Sequence, residues 1–258
     1  MSDVLLSRDK PTSIERGPLT STASGRRYAG ADSEERRTRR RADLLTAGIE
    51  LFGTDGFPPV PIKRICDRAG LTQRYFYESF PDKPTFLGAV YDQCVEVTRE
   101  ATMLAALPFL TDHTDTAGPR TPEELGLNAV PAERIPDAAR AILGAFVDTL
   151  TGDPRRARVM LVEIVGVSPE LERKRQSAIH GWAELILTLA TGAQPSSSTQ
   201  RLAAIGLVGA VTQLLVDWYT SHTDPIDSDS GPEHFEIATI LDVCVELFVS
   251  AYASLIAE

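Results

Sequence analysis

From Leu44 onward the apolar side chains recur every three or four residues, and no segment sustains the two-residue alternation of a half-buried strand. That pattern restricts the chain to an all-α fold. Leu44, Leu45, Gly48, Leu51 and Phe52 share a helical face, and Gly56 ends the element. Ile62, Ile65, Cys66 and Ala69 form one face of a short helix over 62–69, with Pro61 near its start and Gly70 breaking it. A third helix runs from Thr72 as N-cap to about Ser79. Asp82 caps a longer fourth, in which Pro84 falls in the tolerated first turn. Helical periodicity returns over 137–151, 153–166, 169–191, 198–221 and 233–256, with breakers such as Gly152-Asp153-Pro154 and Ser168-Pro169 between blocks. Five prolines between Pro108 and Pro136 predict a long loop over 108–135, with one short helix near 122–128.

These blocks suggest three regions. Residues 1–33 are rich in Ser, Thr, Gly, Pro and charge without apolar periodicity, and read as a disordered tail. Residues 34–90 form a small helical domain, and residues 91–258 a larger one. Net charge divides the same way. The chain carries −10 overall, yet residues 26–91 hold 12 Lys and Arg against nine Asp and Glu, whereas residues 92–258 hold 11 against 24. A basic module on an acidic partner suits local attraction to a polyanion with little adhesion elsewhere.

Several function classes lose support here. The greasiest segments are interrupted by Gln213, Asp217, Asp242 and Glu246, and the start of the chain has no apolar signal region. A cytoplasmic protein without membrane contact is expected. Cys66, Cys94 and Cys244 lie far apart in apolar blocks, which predicts buried reduced thiols and no metal site. No phosphate loop, nucleophile elbow or paired catalytic constellation appears, and four histidines leave few candidates for acid–base chemistry, so no enzyme and no cofactor are expected.

What the residues do support is a helix-turn-helix. The turn Ala69-Gly70-Leu71 is short, and Gly70 can take the positive φ it requires. Leu45, Phe52, Ile65, Ala69, Leu71, Phe76 and Phe80 supply a small core. The next helix then offers Thr72, Gln73, Arg74 and Tyr75 at the end that enters a major groove. Gln pairs with adenine, Arg with guanine, and Thr with base or phosphate. Tyr77 points to a flanking phosphate, and Lys83 stands ready for another at the start of helix four. Lys63 is a further basic candidate. The run Arg36, Arg37, Arg39, Arg40 and Arg41 has two readings: a solvated helix start, or an arm, chiefly Arg39, Arg40 and Arg41, that reaches DNA.

The stretch from about Arg40 to Val90 resembles the N-terminal domain of tetracycline-repressor-family regulators. The likeness rests on Leu44-Leu45-Thr46-Ala47-Gly48 with Leu51-Phe52, Asp55-Gly56-Phe57, Ile65-Cys66, Ala69-Gly70-Leu71-Thr72, Tyr75-Phe76-Tyr77-Glu78-Ser79-Phe80, Lys83 and Leu87. The resemblance implies a homodimeric regulator, usually a repressor, released from DNA by a small molecule bound in the C-terminal domain. It assigns phosphate contact to Tyr77 and Lys83 and base reading to Thr72–Tyr75. Val60-Pro61 departs from the family's usual threonine pair and puts a hydroxyl contact from there in doubt; Cys66, Ser79 and Pro84 are departures too.

In this reading the last two helices pair with their symmetry mates, and Leu207, Val211, Leu214 and Leu215 on one with Ile240, Leu241, Cys244, Leu247 and Phe248 on the other suffice for both core and interface. Two recognition helices about 34–36 Å apart then read a palindromic operator. Candidates for the effector pocket are Phe146, Met160, Glu163, Val167, His180, Trp182, Gln213, Asp217 and Trp218. Their character suggests a moderately large apolar or aromatic ligand, with the acidic domain favouring a cationic one. A helical protein-interaction scaffold without DNA binding is the rival reading.

Overall fold

The computed structural model describes residues 24–110, 129–192, 194–223 and 235–256. The helix expected near 122–128 and residues 1–23 of the expected tail lie outside that range. The described elements are helices: α1 (Ser24–Asp55), α2 (Ile62–Ala69), α3 (Gln73–Ser79), α4 (Lys83–Leu110), α5 (Ile135–Thr151), α6 (Pro154–Arg158), α7 (Pro169–Thr191), α8 (Ser198–Thr223) and α9 (Ile237–Ala251). A 3₁₀ turn (Ala132–Arg134) precedes α5, and π-helical segments follow α6 (Val159–Glu163) and α9 (Tyr252–Ile256).

The chain divides into two units after Arg39. In the first, the described residues all belong to α1, and Ser33 to Arg39 are exposed, with Arg37 paired to Glu34 at 3.8 Å. The helix thus begins at Ser24, ahead of the boundary expected at residue 33. Arg and Ala are strong helix formers, and an exposed helix needs no apolar stripe to reveal it.

In the second unit, sequence accounts for each element of the helix-turn-helix. Pro61 caps α2 in extended conformation, where its missing N–H costs nothing. Gly70 ends α2 in the left-handed region at φ 67°, and Leu71 N–H donates to the Cys66 carbonyl at 2.9 Å. The main chain of Thr72 is extended before α3. Asp82 accepts the Thr85 N–H at 2.7 Å, which lets α4 start with Pro84 in its first turn.

Phe52, Phe57, Phe76, Phe80 and Phe86 meet at centroid distances from 4.9 to 5.7 Å, mostly edge-on. Each such contact adds about 0.5–1.5 kcal/mol beyond its buried area. The same core continues without a break into Val147, Leu150, Val159 and Leu171, so the helix-turn-helix packs directly on the bundle of α4–α9. α4 runs two residues past Pro108, and α5 opens at Ile135, so the loop expected over 108–135 is shorter at both ends. Pro108 lies in the last turn, where the helix forgoes one N–H bond to the preceding turn and ends two residues later. Its carbonyl accepts from Arg134 at 3.1 Å.

Candidate DNA interface and effector chamber

Phe76 and Phe80 anchor α3 in the core, and that fixes which side chains face outward. Thr72, Gln73 and Arg74 are exposed at the start of the helix, and Tyr77 is 55% exposed. The Thr72 hydroxyl makes no capping bond, so it is available to a ligand. Arg74 is tethered to Glu78 at 2.9 Å, a surface pair that a guanine edge could readily replace. Tyr75 is half-buried with the Arg40 guanidinium 4.4 Å from its ring centroid, and Arg41 lies 4.7 Å from that of Phe80. Arg40 and Arg41 therefore brace α3 through cation–π contacts. Arg39 is exposed in the first unit. Lys63 is exposed on α2 and pairs with Asp67 at 2.6 Å; that hydrogen bond pushes its pKa up.

Lys83 has a different task from the one expected. Its ammonium donates to the carbonyls of Phe57 at 2.9 Å, Pro58 at 3.2 Å and Val60 at 3.0 Å, and lies 4.3 Å from the Phe57 ring centroid. All three N–H donors are engaged, and burial lowers its pKa. In this geometry Lys83 staples the α1–α2 turn rather than reaching for phosphate.

A cavity of about 630 Å³ lies in the larger bundle between α5, α7, α8 and the π segment. Phe146, Met160, Trp182 and Gln213, four of the residues singled out in the sequence, line it. The other expected residues do not. His180 is exposed, Asp217 lies outside taking the Gln213 amide at 2.8 Å, and Val167 packs on the core. Trp218 also packs on the core, its ring 5.2 Å from His222. Periodicity identifies a helix face but not which neighbour that face meets. Leu143, Ile179, Leu207, Val211, Cys244 and Phe248 complete the apolar wall, and Tyr91, Thr102, Arg175 and Thr212 add polar atoms. Among the described residues no Asp or Glu lines the chamber, and Arg175, the one charged group among them there, is neutralised by Glu172 through bonds of 2.6 and 3.1 Å. The described lining thus gives the expected preference for a cation no support. The three cysteines are free and buried, and burial raises the thiol pKa of each.

Glu163 occupies a joint rather than the chamber. Only 9% exposed, it accepts the Phe57 N–H at 2.6 Å and the Arg158 Nε–H at 2.7 Å, while Arg158 also donates to the Thr54 carbonyl at 2.7 Å. The turn that receives it needs Gly56, at φ 89° with the Arg158 guanidinium against its open side. Gly53 permits the close approach of α6, since a Cβ there would collide with Arg155. The π segment thus lines the chamber with Met160, Leu161 and Val162 and grips the end of α1 with Glu163.

Comparison with known proteins bears on both sites. Residues 44–90 match the sequence model of the bacterial regulatory proteins of the tetR family. No curated protein matches the chain. Among solved structures, FadR, the fatty acid degradation regulator of Bacillus halodurans, is similar at 13% identity over 81% of this chain and 94% of that one, with a TM-score of 0.56. FadR from Bacillus subtilis, in complex with stearoyl-CoA, is similar at 14% identity over 81% of this chain and 98% of that one, also at 0.56. A Pseudomonas aeruginosa PAO1 protein follows at 15% identity over 84% and 92%, with 0.54. At these identities the likeness is one of fold. The chain carries a tetR-family DNA-binding domain in residues 44–90, built into an all-α fold that it shares with FadR.

Proposed function

We propose that the protein is a ligand-responsive homodimeric repressor that binds a palindromic operator through α2 and α3 and leaves it when a small molecule fills the chamber. The observation that carries this reading is the π segment, which joins a chamber wall to the carboxylate holding the α1–α2 turn. A ligand that repacks Met160, Leu161 and Val162 acts on the same short stretch of backbone as the grip on Phe57. An effector shifts an equilibrium only by its differential affinity for two states, and this contiguity gives it a means to do so.

Base reading falls to Thr72, Gln73, Arg74 and Tyr75, with Tyr77 toward phosphate and Arg39, Arg40, Arg41 and Lys63 adding positive charge. DNA as the partner places the protein in the cytoplasm. The dimer is assigned to α8 and α9, whose described outer faces carry exposed Leu202, Gly206 and Gly209 on one and Val243 and Leu247 on the other. A chamber this size and this apolar suits a large hydrophobic effector, and the stearoyl-CoA bound by Bacillus subtilis FadR has such a portion.

The test is selection of bound fragments from genomic DNA, followed by titration of the recovered operator against salt. A log–log slope steeper than about −4 supports phosphate engagement by two half-sites. Failure to enrich any sequence, with a flat salt response, would favour a protein-interaction scaffold.

A further inference from the structure

The chamber is not sealed, and its open side lies in one place. Of the described residues that line it, four are exposed: Val162 on the π segment, Val165 on the turn after it, and Gln213 and Thr220 on α8. The other lining residues are buried or half-buried. Val165 is 55% exposed, so an apolar lip is left bare to water beside an apolar cavity.

This mouth falls on a particular face of α8. At about 100° per residue, Leu202, Gly206, Gly209, Gln213, Val216 and Thr220 all lie within about 40° of one line along the helix. Leu202, Gly206 and Gly209 are exposed and belong to the proposed dimer contact, whereas Gln213, Val216 and Thr220 edge the chamber. One stripe, roughly 27 Å long at about 1.5 Å per residue, is therefore dimer surface in its first half and chamber mouth in its second. Helices of a four-helix bundle cross at only about 20°. A partner helix seated on Leu202, Gly206 and Gly209 thus still runs beside α8 where the mouth opens.

We propose that a second copy of this chain completes the chamber: in the dimer, the partner's α8–α9 face closes the mouth over Val162, Val165, Gln213 and Thr220, and the effector is held between both protomers. A ligand that touches both copies binds dimer better than monomer, and by linkage it tightens dimerisation by the same factor. The inference rests on the chamber as effector site and on the α8–α9 dimer, and its test keeps the three apart.

A neutral naphthylamine fluorophore is the probe, used with the full-length protein; the signal that Val211→Trp abolishes is the chamber's. Its affinity is measured while the protein is diluted through its dimer–monomer transition, followed by sedimentation. Binding to the monomer should be about tenfold weaker than to the dimer, and saturating probe should lower the dimer dissociation constant about tenfold. Val243→Glu with Leu247→Glu alters two exposed α9 side chains that do not line the chamber. That variant should bind the probe as weakly as the diluted parent while keeping its helix content; if it fails to fold, the dilution series alone decides. Equal affinity in dimer and monomer overturns the shared chamber and leaves chamber and dimer standing separately. A protein that stays monomeric at every concentration removes the dimer and this inference with it. One that dimerises but shows no chamber signal removes the chamber, and the inference falls too.

Discussion

The Lys83 ammonium is surrounded by three carbonyls of a single turn, and a cation with every proton engaged makes a poor phosphate clamp. Lys83→Met should therefore lower stability in urea unfolding by about 1–3 kcal/mol, because the carbonyls lose a charged donor. Tyr77→Phe should do the reverse: unchanged stability, with DNA affinity down about 3–10-fold for every operator variant, as expected for one lost phosphate bond. A Lys83→Met protein of ordinary stability whose salt slope drops by about 1 would return the lysine to the phosphate. The position of Lys83 in a first helical turn is visible in the chain, but the carbonyls it serves lie 23 to 26 residues earlier. The same limit applies to Glu163, which periodicity puts on an inward face without saying that Phe57, 106 residues away, waits there. Phe76 and Phe80 were legible because one helix places them four apart on one side.

At the scale of elements, caps and breakers written locally in the chain reappear as structure, and Asp82 shows how. Hydrogen bonds from Thr85 hold its carboxyl below the ordinary aspartate value. A depressed pKa means that the cap contributes fully above the unfolded value of about 3.9 and fades as pH falls through the folded one. Asp82→Ala should cost about 1 kcal/mol at neutral pH, and the gap between variant and parent should close on acidification. The π segment was not legible, since a wider turn of five residues leaves no mark in a 3.6-residue pattern. Its function is nonetheless testable. Glu163→Gln keeps the shape and an acceptor for Phe57 but leaves Arg158 without its counter-charge. The expected result is a stability loss of about 1–3 kcal/mol together with a weaker effect of any effector on DNA affinity. Equal effector response in parent and variant would remove the joint from the signalling route.

For the whole molecule, α8 and α9 pose the remaining question. Ser198–His222 and Ile237–Ile256 are long and apolar enough to cross a membrane by length and composition, yet only 28% and 22% of their most apolar windows are buried. Leu202 is 69% exposed, and a Cβ at Gly206 or Gly209 would meet nothing within 4 Å. Apolar surface left open on two adjacent helices is strongly unfavourable in water, and a second copy laid across it would cover both at once. A two-fold arrangement would also set two α3 helices on one face of a duplex. Its strength then comes from bivalency: once one half binds, the other meets its half-site at a high effective concentration, worth about 10²–10⁴ in affinity. Val243→Glu with Leu247→Glu places like charges opposite one another across the two-fold. The pair should halve the mass in solution and reduce operator affinity by that factor, while binding to an isolated half-site stays as it was. A double variant that remains dimeric would move the interface off α9; one that becomes monomeric yet holds the full operator undiminished would detach dimerisation from DNA reading.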